Sequence, residues 1–274
     1  MKSILSGITC LLLLSGTNAQ YYYKDLVVPR QAGIQIQKYR EQKIKAVKLN
    51  SYESDGQPTE NFQGSQEVDQ NFTRITTNLK SAISGSSQLI SNFTPGGLLT
   101  KTLDSTDGSS SSTAYTYNGK GELSNMVNIS VSAGSYQEKE EHVWNFKNGQ
   151  PESMFRIKNE TDTTYIHFVR DDKGYVTEEN SIRKGASLPS YYYYYDDTYR
   201  LTDVVSYNIK AKRLLPDYIF EYNQDGLYKT LMVIPEGSSD YQKWYYEYNN
   251  GLKTTETVFN KKKQLLGKIE YHYD

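Results

Sequence analysis

Phe220-Glu221-Tyr222-Asn223-Gln224-Asp225-Gly226-Leu227 is the stretch that decides the fold. Two aromatics flank one polar residue, as on a half-buried strand, and then run into Asn, Asp and Gly, which accept the backbone of tight hairpin turns. The pattern returns at Tyr115-Thr116-Tyr117-Asn118, Trp144-Asn145-Phe146-Lys147, Phe168-Val169-Arg170-Asp171, Tyr193-Tyr194-Tyr195-Asp196, Tyr246-Glu247-Tyr248-Asn249 and Tyr271-His272-Tyr273-Asp274. Aligned on their fourth residues, at 118, 147, 171, 196, 223, 249 and 274, the copies are 29, 24, 25, 27, 26 and 25 residues apart. A near-constant period of this size means repeated copies of one small unit. The anchor aromatics Tyr117, Phe146, Phe168, Tyr195, Tyr222, Tyr248 and Tyr273 are therefore read as structural.

Each unit reads strand, turn, strand. Asn118-Gly119-Lys120-Gly121, Asn148-Gly149, Asp172-Lys173-Gly174, Asp196-Asp197, Gln224-Asp225-Gly226 and Asn250-Gly251 supply the turns. On the returning strands Leu123, Val127, Ile129 and Val131 share a parity, as do Leu227, Leu231 and Val233, which predicts one apolar face for each set. Hairpin grammar reaches back through Asp55-Gly56, Ser84 to Ser87 and Pro95-Gly96-Gly97, and the Ser-rich run 108–113 reads as a loop. Upstream, 29–42 reads as a short helix with Leu26, Ile34 and Tyr39 as a weak apolar stripe, against which Gly33 counts. The expected fold is all-β: antiparallel hairpin repeats of about 26 residues, roughly 14–16 strands, plus a short N-terminal helix. An open twisted sheet rarely exceeds ~10 strands, so this one is expected to roll up or close, which also hides its edges.

Residues 1–19 read as a signal peptide, with Lys2, the apolar run Ile8 to Leu14, and small residues at Thr17 and Ala19 that place cleavage before Gln20. The remainder, 20–274, reads as one domain, with the clearest repeats in 113–274. The only cysteine, Cys10, falls within the leader, so disulfides, thiol catalysis and thiolate metal sites are not expected in the rest. About 255 residues can bury roughly 70% of their unfolded surface and need no covalent staple. The formal net charge of -1 and the lone basic triplet Lys261-Lys262-Lys263, read as a solvated turn, do not suggest a nucleic-acid partner. No transmembrane helix is expected after leader removal.

At its anchors the chain resembles the YD-repeat proteins, the group that includes the RHS shells, whose pattern is roughly Tyr-x-Tyr-Asp-x-x-Gly-Arg-Leu. Tyr193-Tyr194-Tyr195-Asp196-Asp197-Thr198-Tyr199-Arg200-Leu201 departs from it by Tyr199 in the Gly position. The stretches 220–227 and 115–123 keep Gly226 and Gly121. The resemblance covers about 113 to 274. It implies antiparallel strand pairs laid side by side in a curled or closed sheet. In its size the chain is similar to small secreted YD-repeat proteins of Gram-negative bacteria.

Chemistry is harder to find. His142, His167 and His272 are not at metal-ligand spacing, and His167 and His272 read as surface strand residues. The paired carboxylates Glu140-Glu141, Asp171-Asp172, Glu178-Glu179 and Asp196-Asp197 include two in repeat turns, where Asp is favoured for local hydrogen bonds. Asn71, Asn92, Asn128 and Asn159 match the glycosylation pattern and are read as chance. No catalytic, cofactor or metal residues are assigned. Tyr191, Tyr192, Tyr193, Tyr194 and Tyr195, with Tyr245, form the candidate binding surface: alternation puts three rings of the five on the core side and two outside, where exposed rings stack on sugars or a partner. The expectation is an exported, non-enzymatic protein, periplasmic, outer-membrane-associated or extracellular, with a structural or binding role toward a cell-envelope protein or glycan. An outer-membrane β-barrel and a glycan-binding or carbohydrate-active protein are the alternatives.

Overall fold

The computed structural model describes residues 20–82, 84–132, 137–208, 211–235, 238 and 240–274. The expected signal peptide, with Cys10, lies outside these residues. A π-helical stretch, Tyr22–Val27, leads into α1 (Val28–Glu41). Strands follow to the end of the chain: β1 (Ala46–Tyr52), β2 (Gln63–Val68), β3 (Arg74–Ser81), β4 (Gly85–Phe93), β5 (Leu99–Thr106), β6 (Ser109–Tyr117), β7 (Leu123–Ser132), β8 (Gln137–Lys147), β9 (Gln150–Lys158) and β10 (Asp162–Arg170). The rest are β11 (Val176–Arg183), β12 (Ala186–Ser187), β13 (Tyr191–Tyr195), β14 (Leu201–Asn208), β15 (Arg213–Tyr222), β16 (Tyr228–Val233), β17 (Gln242–Asn249), β18 (Leu252–Asn260) and β19 (Leu265–Tyr273).

Apart from β12, the strands pair antiparallel in chain order, and β19 pairs with β1 through Tyr271 opposite Leu49 and Tyr273 opposite Val47, so the sheet closes. The two-residue β12 only caps β11, which pairs directly with β13. Among the described residues, eighteen strands therefore circle the barrel. The sequence reading of 14–16 strands was short, in part because the Ser-rich 108–113 is not a loop. It belongs to β6, where Ser111 and Thr113 face the lumen and both accept hydrogen bonds from Asn128 at 2.8 Å.

A barrel of this many strands ordinarily leaves a channel. Here the N-terminal helical segment fills much of it. Tyr21 and Tyr23 pack among Trp144, Phe168, Tyr193, Tyr218 and Phe220 on the β8–β15 wall. Ile36 and Tyr39, on the far half of the segment, pack on Val47, Leu49, Ile75, Phe93 and Ile269. Ile34, which the sequence placed on the apolar stripe, is 36% exposed, and Ile36 takes its place at 0%. Gly33 is required rather than tolerated: a Cβ there would lie 2.5 Å from the Gly97 carbonyl oxygen of the β4–β5 turn.

The anchors explain the repeat. Both aromatics of a copy point into the lumen, and the register shifts by one residue between the second and third positions at Thr116/Tyr117, Asn145/Phe146, Val169/Arg170, Tyr194/Tyr195, Glu221/Tyr222 and Glu247/Tyr248. Such bulges bend and twist the strands toward closure. They also reverse parity. Leu123 and Met126 both face in, while Val127, Ile129 and Val131 face out, so the single apolar face expected for Leu123, Val127, Ile129 and Val131 does not form.

The turn residue makes the unit rigid. Oδ1 of Asn118, Asp171, Asp196 and Asn223 each accepts two backbone N–H bonds from residues two and four positions on, at 2.8–3.1 Å. The fourth loop position has positive φ: Gly121 (79°), Gly174 (91°), Gly226 (78°) and, in the departing copy, Tyr199 (60°). Tyrosine hydroxyls then tie hairpin to hairpin. Tyr117, Tyr195, Tyr222 and Tyr273 donate to the carbonyls of Leu99, Val176, Leu201 and Lys253 at 2.6–2.8 Å.

Candidate functional site

Two features inside the barrel carry chemistry. One is the seat of the helical segment. Asp25 Oδ2 lies 2.6 Å from His142 Nδ1 and accepts from Trp144 Nε1 at 3.1 Å. His142 Nε2 lies 2.9 Å from Glu140 Oε1, and Glu140 Oε2 accepts from Arg156 at 2.5 Å. Burial opposes a charge on His142, but Asp25 and Glu140 on its two faces outweigh that and raise its pKa to about 9. Burial likewise works against the Glu140 carboxylate, yet His142 and Arg156 hold it down at about 2. The carboxylates lie on opposite ring nitrogens and cannot share one metal ion, and no cluster of three or more metal-ligating groups occurs among the described residues.

A few residues away, Glu179 is 0% exposed. It accepts from the backbone N–H of Gln20 at 2.8 Å, the N–H of Tyr22 at 3.1 Å and the Tyr193 hydroxyl at 2.7 Å. Burial raises its pKa, with these hydrogen bonds acting in opposition. Thus the acids of this region anchor the helix to β8, β11 and β13. They are saturated by partners rather than poised to attack.

The second feature is a cavity of about 650 Å³ at the end of the lumen remote from the anchor turns. Tyr23 of the helical segment, Tyr218, Leu231, Trp244 and Leu266 line it with ring and aliphatic surface, while Asp240, Gln242, Asn260, Lys261, Lys262 and Gln264 are polar members of its lining. The Asn260 side chain caps the turn that carries the lysines, accepting from Lys262 N and Gln264 N, which fixes where that turn stands. The basic triplet is thus a turn, as read from sequence, and part of it belongs to the cavity.

The tyrosines named in sequence divide by face. Tyr191, Tyr193 and Tyr195 point inward, Tyr191 and Tyr193 at 8% and 2% exposure; Tyr192 and Tyr194 point outward. Tyr245 is exposed, edge-on to Phe259 at 5.5 Å. It does not join the other two, because three strands, β14 to β16, separate its strand from β13. His167 and His272 are exposed on the outer face. His142 is the functional residue that sequence reasoning missed. Its partner Asp25 is 117 residues away, and no local pattern announces the pair.

No protein-family model matches the chain, and no curated protein matches it. Similar solved structures include a porin-like protein from Bacteroides uniformis, with TM-score 0.39, 9% identity, and 84% of this chain and 98% of that one covered. A porin-like protein from Bacteroides vulgatus has TM-score 0.28 and 13% identity, covering 84% and 98%. An exported protein with a YmcC-like fold from Bacteroides fragilis has TM-score 0.25 and 11% identity, covering 82% and 92%. At scores below 0.5 these likenesses carry no inference about function.

Proposed function

We propose that the protein is exported and serves as a non-enzymatic, water-facing barrel that binds an amphiphilic ligand in the cavity at its mouth. The observation that carries this reading is the cavity itself: an aromatic and aliphatic floor under a lysine-bearing turn, beside the protein's own helix in the lumen. A site of this volume, mostly apolar with a few polar groups at one end, suits a chain-like apolar body with an anionic head. Catalysis is disfavoured because the buried acids are engaged in seating the helix.

The outer face argues against a membrane-embedded barrel. Lys48, Arg74, Lys80 and Lys101 are exposed on β1, β3 and β5. Lys243 pairs with Glu221 at 3.1 Å across β15–β17, and Lys268 pairs with Glu270 at 2.6 Å on β19. Each outward Lys or Arg at bilayer depth costs about 2–4 kcal/mol, and here they recur around the barrel. Kinship with YD-repeat proteins is part of the same reading; the repeated Asn/Asp-capped hairpin supports it.

The test is a titration with dodecanoate, below its micellar concentration, read by tryptophan fluorescence. Trp244 lies in the cavity lining, so saturable quenching or enhancement is expected. Lys262→Glu is expected to weaken dodecanoate at least about tenfold and to leave dodecanol unaffected. No saturable binding of a long-chain carboxylate or alcohol would overturn the reading.

A further inference from the structure

We propose that Glu179 is the seat of a free α-ammonium group at Gln20, created when the Ala19–Gln20 peptide bond is cut, and that this ion pair locks the helix into the barrel. In the cut, an export peptidase adds water across the amide; Ala19 leaves as a carboxylate and Gln20 N becomes an ammonium. The inference rests on the export reading only for the position of the cut. Two observations inside the described residues support it.

Gln20 N already lies 2.8 Å from Glu179 Oε1, inside a closed barrel and 6% exposed. Once the bond is cut, that nitrogen is an ammonium already within hydrogen-bond distance of a buried carboxylate, the close geometry a buried ion pair needs to offset desolvation. The Gln20 side chain is held as well, its amide donating to Asp217 at 3.1 Å. Next, Gln20 has φ +88°, a left-handed conformation that a residue other than glycine adopts at a cost. That torsion exists only while residue 19 is attached; cleavage removes it, and the strain with it.

The sign of the pH effect follows. An ammonium whose folded pKa is raised by Glu179, above an unfolded value of about 8, stabilises fully below that value. Its contribution is lost as pH rises through the folded value. Groups facing it from every side are Lys24 and Tyr21 on its own segment, Glu179, Tyr193 and Asp217 on the wall.

The experiment compares three otherwise identical chains: one starting at Gln20 with a free amine, one carrying Gly-Ser before Gln20, and one acetylated at Gln20 N. The free-amine chain is expected to melt about 5 °C or more above the other two at pH 6.5, and the gap is expected to close at alkaline pH. Glu179→Gln, which still accepts hydrogen bonds, is expected to erase the gap; should that variant fail to fold, the free-versus-acetylated comparison stands by itself. Sequencing of the N-terminus of the exported protein is expected to begin at Gln20 with an unblocked amine. Equal melting temperatures, a gap that survives Glu179→Gln, or a natural N-terminus that is cyclised or lies elsewhere would each overturn the proposal without touching the ligand reading.

Discussion

His142 shows how a single side chain can tie an interior helix to its barrel. Its pKa is raised from 6.5 to about 9. A cationic group with a raised folded pKa stabilises fully below its unfolded value and loses that contribution as pH rises through the folded one. Glu140 works the other way: lowered from 4.5 to about 2, it stabilises above 4.5 and fails as pH falls through 2. The His142 contribution is therefore expected to be full below about pH 6.5 and to be lost toward pH 9, by up to on the order of 3 kcal/mol. Urea melts across pH check this, and His142→Gln is expected to flatten the alkaline limb. None of this network was legible in sequence, since the partners meet only when the helix enters the barrel. The residue-level departure that sequence did show was Tyr199 in a glycine slot. There it adopts φ 60° and stacks on Tyr175 at 4.5 Å, with Lys173 against its ring. Tyr199→Gly exchanges backbone strain for a lost ring contact worth about 0.5–1.5 kcal/mol, so a net change within about 1 kcal/mol is expected by chemical denaturation. Gly226→Ala, at φ 78° with no stacking gain, is expected to destabilise.

The hairpin is the element in which sequence and structure agree best. Its turn is encoded within five residues, so Asn118, Asp196 and Asn223 announce it locally. What the alternation could not show is the bulge beside each anchor, because one extra residue leaves the residue types unchanged and flips every position after it. The second aromatic of the motif has a reason beyond burial: its hydroxyl bonds the neighbouring hairpin. Tyr222→Phe and Tyr273→Phe are each expected to cost about 1 kcal/mol by removing one such bond, measured by denaturant unfolding, while Phe146 occupies the same slot without one. For the helix, Gly33 looked like a flaw because propensity sees only the helix. The helix packs at its closest against Gly97, and Gly33→Ala is expected to destabilise by roughly 1–3 kcal/mol through that clash rather than to stabilise through propensity.

On the scale of the whole molecule, closure follows from arithmetic that the sequence already contained. Too many twisted strands for an open sheet, and a last repeat that needs a partner, leave a barrel as the solution. The sequence did not reveal that the first helix would become the barrel's core, because the ring of Trp144, Phe168, Tyr218 and Phe220 that receives Tyr23 is assembled from strands far apart in the chain. The plug packs much of a wide barrel and leaves the mouth cavity beside it. On the outside, Lys243 pairs with Glu221 and Lys268 with Glu270, the charged face on which the water-facing proposal rests. Fractionation of cells exporting the protein, with the extract run by size exclusion in buffer without detergent, decides whether water or lipid surrounds the barrel. A folded, monodisperse protein is expected in the detergent-free fraction; a protein that sediments with membranes and is released only by detergent would overturn the water-facing proposal.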